Sequence, residues 1–386
     1  MEYIMLKDVC DINMGQSPDS SSYNDDGDGL PFFQGNADFG ERYPVARKWC
    51  SVPTKIAKPE DILISVRAPI GELNYAREKC CIGRGLAALT PDKSKVSPEF
   101  IFWLLKAKNI ELNSKGTGST FKAIGRNVLE ETQVPNVPLT VQSEYSQVLE
   151  RIYAIIQSHK MQLQKLDDLV KARFVEMFVA TDAASDWPYC TIADVSIDMR
   201  TGPFGSALHH DEFIDSGVFV LGIDNAVENK FSYNRMRYIT AEKYQELKRY
   251  TVYPGDVIIT IMGTVGRSAV IPADMPKAIN TKHLACITPN AKMVNAQFLS
   301  CAFQVHPDIR AQLQKQCKGA IMDGLNLTII KGLSFHIPPI NLQDRFVGFY
   351  EQVDKSKVIE AINKANTLFN ITLNGGNRYD IRANEF

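Results

Sequence analysis

If this chain carried chemistry of its own, it would have to come from a few short strings. Gly83-Arg-Gly-Leu-Ala-Ala88 has the GxGxxA spacing of a dinucleotide loop, where glycines let the backbone approach a pyrophosphate at a helix N-terminus. Here Leu89-Thr90-Pro91 ends the run before a crossover helix could begin, so no cofactor role is expected. Gly116-Thr-Gly-Ser-Thr-Phe-Lys122 is rich in glycine and hydroxyls but lacks the GxxxxGK(S/T) spacing of a nucleotide loop. It reads as a turn whose N–H groups and lysines could meet phosphates, or as a plain structural loop. His209-His210 is a poor metal pair, because no clustered Cys or His supplies the remaining ligands. No NPPY- or DPPY-like tetrapeptide occurs, and the nearest string, Ile337-Pro-Pro-Ile340, lacks the polar and aromatic ends that amino-methyl transfer would need. The acids near Pro59 and Pro254 are not followed by the Glu/Asp-x-Lys of a nuclease. No catalytic, cofactor-binding or metal-ligating residue is expected.

Composition narrows the choice further. The 386 residues are 45% hydrophobic and 23% charged without a low-complexity run, which suits a globular chain of two or three domains. No apolar stretch approaches the roughly 20 residues of a membrane span. The N-terminal MEYIMLKDVCDINMG turns acidic too soon for a secretory signal, so a cytoplasmic location is expected. Eight cysteines lie scattered with no CxxC pair and read as reduced, mostly buried thiols. The formal charge is −1, from 43 basic and 44 acidic residues, which argues against indiscriminate coating of nucleic acid. Charge is nevertheless segregated: seven acids against Lys7 in residues 1–30, but Lys106, Lys108, Lys115, Lys122 and Arg126 against Glu111 in 106–126.

The elements that would position any site occur twice. Leu6-Lys-Asp-Val9 matches Ile192-Ala-Asp-Val195, and Pro31-Phe-Phe-Gln-Gly35 resembles Val218-Phe-Val-Leu-Gly222. Lys58-Pro-Glu-Asp-Ile-Leu-Ile-Ser65 parallels Tyr253-Pro-Gly-Asp-Val-Ile-Ile-Thr260, with Gly71 and Gly266 following at equal distance. Glu99-Phe-Ile-Phe-Trp103, Lys115-Gly116 and Val137-Pro-Leu-Thr-Val-Gln142 find counterparts in Gln297-Phe-Leu-Ser-Cys301, Lys318-Gly319 and Pro338-Pro-Ile-Asn-Leu-Gln343. Matches in unchanged order imply an internal duplication with a period of roughly 190–200 residues. Residues 61–66 and 256–262 read as buried strands, and 98–107 and 295–305 as short helices.

A different texture follows each copy. From 141 to 178 there is no Gly or Pro, and apolar residues recur at 148, 152, 155, 163, 166, 170, 174 and 177, the mark of a helix with one apolar seam. Such a helix would reach roughly 57 Å. A second is expected over 342–370, stopped by Gly375-Gly376. Thr140 and Asn341 stand as matching N-caps, and Asn341 with Asp344 resembles a capping box.

These strings together resemble the specificity subunit of type I restriction–modification systems. The likeness is carried by Met14-Gly-Gln-Ser-Pro18 with Tyr23-Asn24, Leu30-Pro-Phe-Phe-Gln-Gly35 and Asp61-Ile-Leu-Ile-Ser-Val-Arg-Ala-Pro-Ile-Gly71. It continues in Cys81-Ile-Gly-Arg-Gly-Leu-Ala-Ala88, Lys115-Gly-Thr-Gly-Ser-Thr120 and Val134-Pro-Asn-Val-Pro-Leu139. The second half matches more loosely, with Gly205-Ser206 but no GxSP, and Ile261-Met-Gly-Thr264 in place of the Val-Arg-Ala-Pro turn. The resemblance implies a mixed α/β (α+β) protein with two globular target-recognition domains, 1–138 and 181–338. An antiparallel pair of long helical spacers, 139–180 and 339–374, would separate them with approximate two-fold symmetry, leaving a tail at 375–386. Each domain would read one half of a bipartite, asymmetric site in double-stranded DNA. The spacers would set the gap and dock two methyltransferase subunits, to which two restriction subunits can add. S-adenosylmethionine, ATP and magnesium would serve those partners, leaving this chain non-catalytic and without a cofactor of its own.

Base reading calls for Arg, Lys, Asn, Gln, Ser, Thr and His on loops, since Arg can grip guanine and Asn or Gln adenine through two hydrogen bonds. In the first domain the candidates are Gln34, Asn36, Arg67, Arg84, Lys115, Thr117, Ser119, Lys122 and Arg126. In the second they are Ser206, His209, His210, Lys230, Asn234, Arg235, Arg267, Lys282, His283 and Lys318. The rival readings are a coiled-helix interaction scaffold and a fused methyltransferase or nuclease with a disguised motif.

Overall fold

The computed structural model describes residues 2–118, 122–204, 207–317 and 325–353. It forms two compact units, and the division between them falls inside a long helix, after Lys160.

Each unit is organised around the run that reads as a buried strand. Ile62–Ser65 is covered on both faces: Ile62 and Ile64 point into the main core with the helix Pro98–Ala107, while Leu63 joins Phe33, Ile82 and Ala88 on the other side. A strand buried on both faces has no solvent side to alternate with, which is why its sequence is continuously apolar. Val257–Thr260 repeats the arrangement, with Val257 and Ile259 facing one core and Ile258 the other.

Sheet topology confirms the duplication strand by strand. In the first unit a four-stranded antiparallel sheet runs in the order Cys10–Met14, Leu86–Pro91, Ile62–Ser65, Leu73–Tyr75. In the second the order Ser196–Thr201, Leu284–Pro289, Val257–Thr260, Ser268–Val270 is the same. A second sheet in each unit contains a parallel pair, Leu30–Phe33 with Cys80–Ile82 and Val218–Leu221 with Ala278–Asn280. The units also close alike, the first strand pairing with the last: Tyr3–Met5 with Gln133–Pro135, and Tyr189–Thr191 with Ser334–His336.

The register of the parallel pairs shows where the two copies differ by one residue. Phe33 sits opposite Ile82 and Leu221 opposite Asn280, and the next N–H bonds back in each case (Gly83 to Phe33 O, 2.8 Å; Thr281 to Leu221 O, 2.9 Å). The turn that follows nevertheless begins at Gly35 and at Gly222, each an N-cap whose N–H bonds the side chain three residues on (Asp38 and Asn225), so the glycine match holds and Gln34 is one extra residue between strand and turn.

Leu139–Phe178 is a single 40-residue helix. Both expected N-caps are displaced. The long helix starts one residue before Thr140, with Gln142 N–H bonding Pro138 O at 3.0 Å, and the second helix, Ile340–Gln352, is capped by Pro339 rather than Asn341. Proline suits a helix start, where its missing N–H would have no intrahelical partner. Asp344 closes no capping box either, and instead accepts a hydrogen bond from Asn295 (2.9 Å). The seam near the start of the long helix is also rotated: Gln142, Ser146, Leu149 and Ile156 are buried, whereas Val148 and Ile155 are 46% and 52% exposed. At its other end Phe174 and Phe178 pack on Phe298 and Phe346 in the second unit's core. The rest of the expected second helix past residue 353, Gly375-Gly376 and the tail lie outside the described residues.

One buried side chain fastens each helix start to its own unit. Gln142 accepts from Ser97 N–H (2.9 Å) and donates to the carbonyls of Val137 (2.8 Å) and Lys95 (3.2 Å). Gln343 does the same with Asn295 N–H (2.9 Å) and the carbonyls of Pro338 (2.8 Å) and Met293 (3.0 Å).

Candidate nucleic-acid interface

In the first unit several candidate residues converge because three turns are tied by backbone hydrogen bonds. Gly85 N–H bonds Gln34 O (3.1 Å), Val66 N–H bonds Gly85 O (2.9 Å), Ile124 N–H bonds Val66 O (2.9 Å) and Ala68 N–H bonds Lys122 O (3.0 Å). Thr117 pairs with Ala123 on the same ladder. Gln34, Arg67, Arg84, Thr117 and Lys122 thus share one exposed edge. Among the described residues Arg67, Arg84 and Lys122 make no ion pair, so their charge is available to phosphates.

The glycines of the GxGxxA string serve this edge. A Cβ on Gly85 would fall 2.5 Å from Gln34 O, and one on Gly83 would fall 2.7 Å from Gln34 Oε1. The string runs on into the strand Leu86–Pro91 rather than a helix, so the spacing records close packing of two loops. Ser17 Oγ lies 2.9 Å from Gln34 Nε2 and 3.1 Å from Oε1, and it accepts from Arg84 N–H (3.3 Å). The acid Asp61 is structural: it is buried and accepts from the Thr90 hydroxyl (2.6 Å) and Lys58 N–H (2.7 Å).

Other candidates stand apart from this cluster. Lys115 is paired with Glu111 (2.5 Å) and Arg126 with Glu130 (2.7 Å), which cancels their charge locally. Asn36 is half-buried in the short turn Asn36–Asp38. Ser119 lies outside the described residues.

The second unit repeats two of these backbone ties, with Ile261 N–H bonding His283 O (2.9 Å) and Leu325 N–H bonding Ile261 O (2.9 Å). Here the turns enclose a cleft of about 460 Å³ that gathers five candidates: His209, His210, Arg235, Lys282 and His283. Burial first, then the neighbouring Lys282 ammonium and Arg237 guanidinium, hold His283 below its ordinary value, so it is neutral at pH 7 and can both donate and accept. Asn234 is exposed beside Arg235. Arg267 belongs to a separate recess of about 270 Å³ with Arg310 and Gln314. Lys230 is half-buried and partnered. Ser206 and Lys318 lie outside the described residues.

Sequence reasoning missed one charged residue that lines this cleft. Arg237 lines it and pairs with Asp224, while Nη1 of the same guanidinium is buried with no acceptor among the described residues. Alternation could have found it: Arg235 and Arg237 flank Met236 just before the strand Tyr238–Ile239, a spacing that puts both on one side of the chain. Among the described residues no cluster of three or more His, Cys, Asp or Glu could hold a metal ion. No helix among them is long and apolar enough to cross a membrane.

Two copies of one mixed α/β unit, each closed by its outer strands and each delivering the chain into a helix, define the class as a duplicated two-domain protein. The family model of the type I restriction modification DNA specificity domain matches residues 1–168 and again 185–368, and the chain belongs to that family. Over 160 residues it is 42% identical to a putative type I restriction enzyme specificity subunit, MjaX, of Methanocaldococcus jannaschii; that match covers 42% of this chain and only 38% of the relative. The EcoBI specificity subunit of Escherichia coli is 21% identical over 383 residues, spanning 91% of this chain and 78% of the relative. Among solved structures, the type I restriction-modification S subunit from M. genitalium has the same fold, with a TM-score of 0.54 at 14% identity over 96% of this chain and 94% of that one.

Proposed function

We propose that this chain is the DNA-reading subunit of a type I restriction–modification complex, each domain recognising one half of a bipartite, asymmetric site. The observation that carries the reading is the repeated loop edge, which shares two backbone ties between the units (Val66 to Gly85 and Ile124 to Val66; Ile261 to His283 and Leu325 to Ile261) but carries different polar side chains. A shared frame with exchanged side chains is what two different DNA words require. Phosphate contacts from the exposed cations would position each domain, and base-edge contacts would specify the sequence. In this reading 1–138 and 181–338 are the recognition domains, and 139–180 and 339–374 set the gap and dock two methyltransferase subunits, which two restriction subunits can join. Methylation and cleavage, with S-adenosylmethionine, ATP and magnesium, belong to those partners. The site of action is the cytoplasm.

The test is co-expression of the full chain with its methyltransferase subunit, followed by long-read methylation mapping. An asymmetric bipartite motif is expected. A map without one overturns the assignment. Binding to DNA, measured with the methyltransferase present, should also weaken steeply as salt rises, whereas salt-insensitive association favours the scaffold alternative.

A further inference from the structure

The turn after the central strand is built alike in both units. Ser65 N–H bonds Glu72 O (2.9 Å), and the Ser65 hydroxyl accepts from Glu72 N–H (2.9 Å). Thr260 makes the same two bonds with Arg267 (2.8 and 2.9 Å). Glu72 and Arg267 are therefore equivalent, and the charge is reversed between the copies. What packs on the turn also differs. In the first unit Asn109 and Asn113 both donate to Ile70 O (3.1 and 2.6 Å), and a Cβ on Gly71 would fall 2.8 Å from Asn109 Nδ2. In the second, a Cβ on Gly266 would meet only Leu313 Cδ1 among the described residues, at 3.5 Å. The space left open is the recess of about 270 Å³ between this turn and the helix Pro307–Cys317. Arg267, Arg310, Gln304 and Gln314 line it, with no acid among the described lining residues. Both arginines are exposed and neither has an ion pair among the described residues; Arg310 Nη1 donates only to Gln304 O (2.9 Å).

We propose that Arg267 and Arg310 together hold one backbone phosphate of the DNA bound by the second domain, a contact the first domain does not make at its Glu72. The inference rests on the DNA-reading assignment above and adds where this domain grips the backbone. Two guanidinium groups without carboxylate partners match the charge and the oxygens of a phosphodiester. The helix beneath the turn fits this division. Lys106, ninth in Pro98–Ala107, attracts Glu72, whereas Gln304, ninth in Ala296–Val305, brings no charge to Arg267. The counter-charge for Arg267 is thus left to a ligand. Nucleic acid is favoured over an acidic protein segment by position. Arg267 is bonded to Thr260, and the next residue, Ile261, belongs to the ladder of the candidate interface through His283 O (2.9 Å).

The experiment measures duplex binding by the full chain with its methyltransferase subunit over about 50–200 mM salt. One duplex carries the motif found by methylation mapping and the other a scrambled sequence. The variants are Arg267→Ala, Arg310→Ala, the two combined, and Lys292→Ala, an exposed charge beyond the far end of the strand Leu284–Pro289. The double variant should lower the slope of log K against log salt by about 1 and weaken binding roughly 5- to 10-fold near 0.1 M, evenly on both duplexes. Each single variant should lose part of this, and Lys292→Ala none. The methylated motif should stay as in wild type. Melting midpoints should also be unchanged, and the Gln pair, Arg267→Gln with Arg310→Gln, replaces the Ala pair if they are not. A double variant with the wild-type slope overturns the proposal, and so does a fall of about 2, which would mark two separate phosphates. Weakening on the motif duplex alone would mark a base contact, an equal loss in Lys292→Ala a general charge effect, and loss of the methyltransferase subunit in gel filtration a protein contact; each overturns it. A wild-type complex whose binding ignores salt overturns the parent assignment and this one with it, whereas a steep slope shared by every variant overturns this one alone.

Discussion

Replacing Gln343 by Met should destabilise the second domain by about 2–4 kcal/mol. Methionine is near in length and volume, so the loss is of hydrogen bonding rather than packing. Gln343 is 0% exposed and satisfies one N–H (Asn295) and two carbonyls (Met293 and Pro338) at 2.8–3.0 Å. The bond to Pro338 is buried and those to Asn295 and Met293 are part-buried, so water can replace the carboxamide only incompletely. A hydrogen bond contributes about 1 kcal/mol net, and a buried group left unpaired costs about 1–3 kcal/mol. Two of the three groups are carbonyls with a second lone pair, which holds the sum to the lower part of that range. For a domain of this size, 1 kcal/mol moves Tm by about 2–4 °C, so the transition assigned to the second domain should fall by roughly 5–15 °C. Gln142→Met should act in the same way on the first domain only, because its three partners lie there. Calorimetry of the full chain resolves the two transitions, and urea titration should show lower midpoints at unchanged slopes. A loss under about 0.5 kcal/mol for both variants would refute the view that these glutamines fasten the helices.

The buried charges and thiols lead to three further outcomes. Asp256→Ala should cost about 3 kcal/mol, because Asp256 is buried and pairs with the mostly buried Arg200 at 2.5 Å; Asp61→Ala, whose carboxylate has no such cation among the described residues, should cost less in the same urea titration. The His283 midpoint, followed by NMR, should lie below the ordinary value of about 6.5 and rise in Arg237→Ala, since the guanidinium is one cause of the depression. With the folded value lowered, protonation favours the unfolded chain, so this histidine's contribution to stability is present above pH 6.5 and lost as pH falls through the folded midpoint. Burial pushes the thiols of Cys10, Cys80 and Cys301 up to about 12, and native alkylation at pH 8 should therefore modify the half-buried Cys190 first among the seven cysteines whose burial is described, as read by mass spectrometry.

What the sequence made legible was whatever depends on period and order. Two-sided burial writes an unbroken apolar run at 62–65 and again at 257–260, and the absence of Gly and Pro marks the long helix. Rotation about that helix was not legible. Val148 and Leu149 are both apolar neighbours, and only the position of the first unit's core decides that Leu149 is inside. Nor could spacing show that, among the described residues, Lys115 and Arg126 pair with carboxylates four residues away while Arg67 and Lys122 do not. Arg237 escaped for a related reason: its place in the cleft is opened by a glycine fifteen residues earlier whose missing Cβ gives it room.

The duplication lets one chain separate framework from function by comparing its own halves. Residues that keep their role in both copies hold the frame: Asp61 and Asp256 accept from the hydroxyls of Thr90 and Thr288 and from the N–H three residues back, and Gln142 and Gln343 fasten the helices. Ser65 and Thr260 each bond the carbonyl four residues on. Residues that change between the copies gather at the loop edge: Arg67 becomes Met262, and Gly85 becomes His283. Were the edge merely structural, its side chains would be under the same packing demand in both units and should resemble each other as the buried pairs do. Their divergence over shared backbone hydrogen bonds is expected of surfaces that meet different partners, as the proposed two-part DNA site would be.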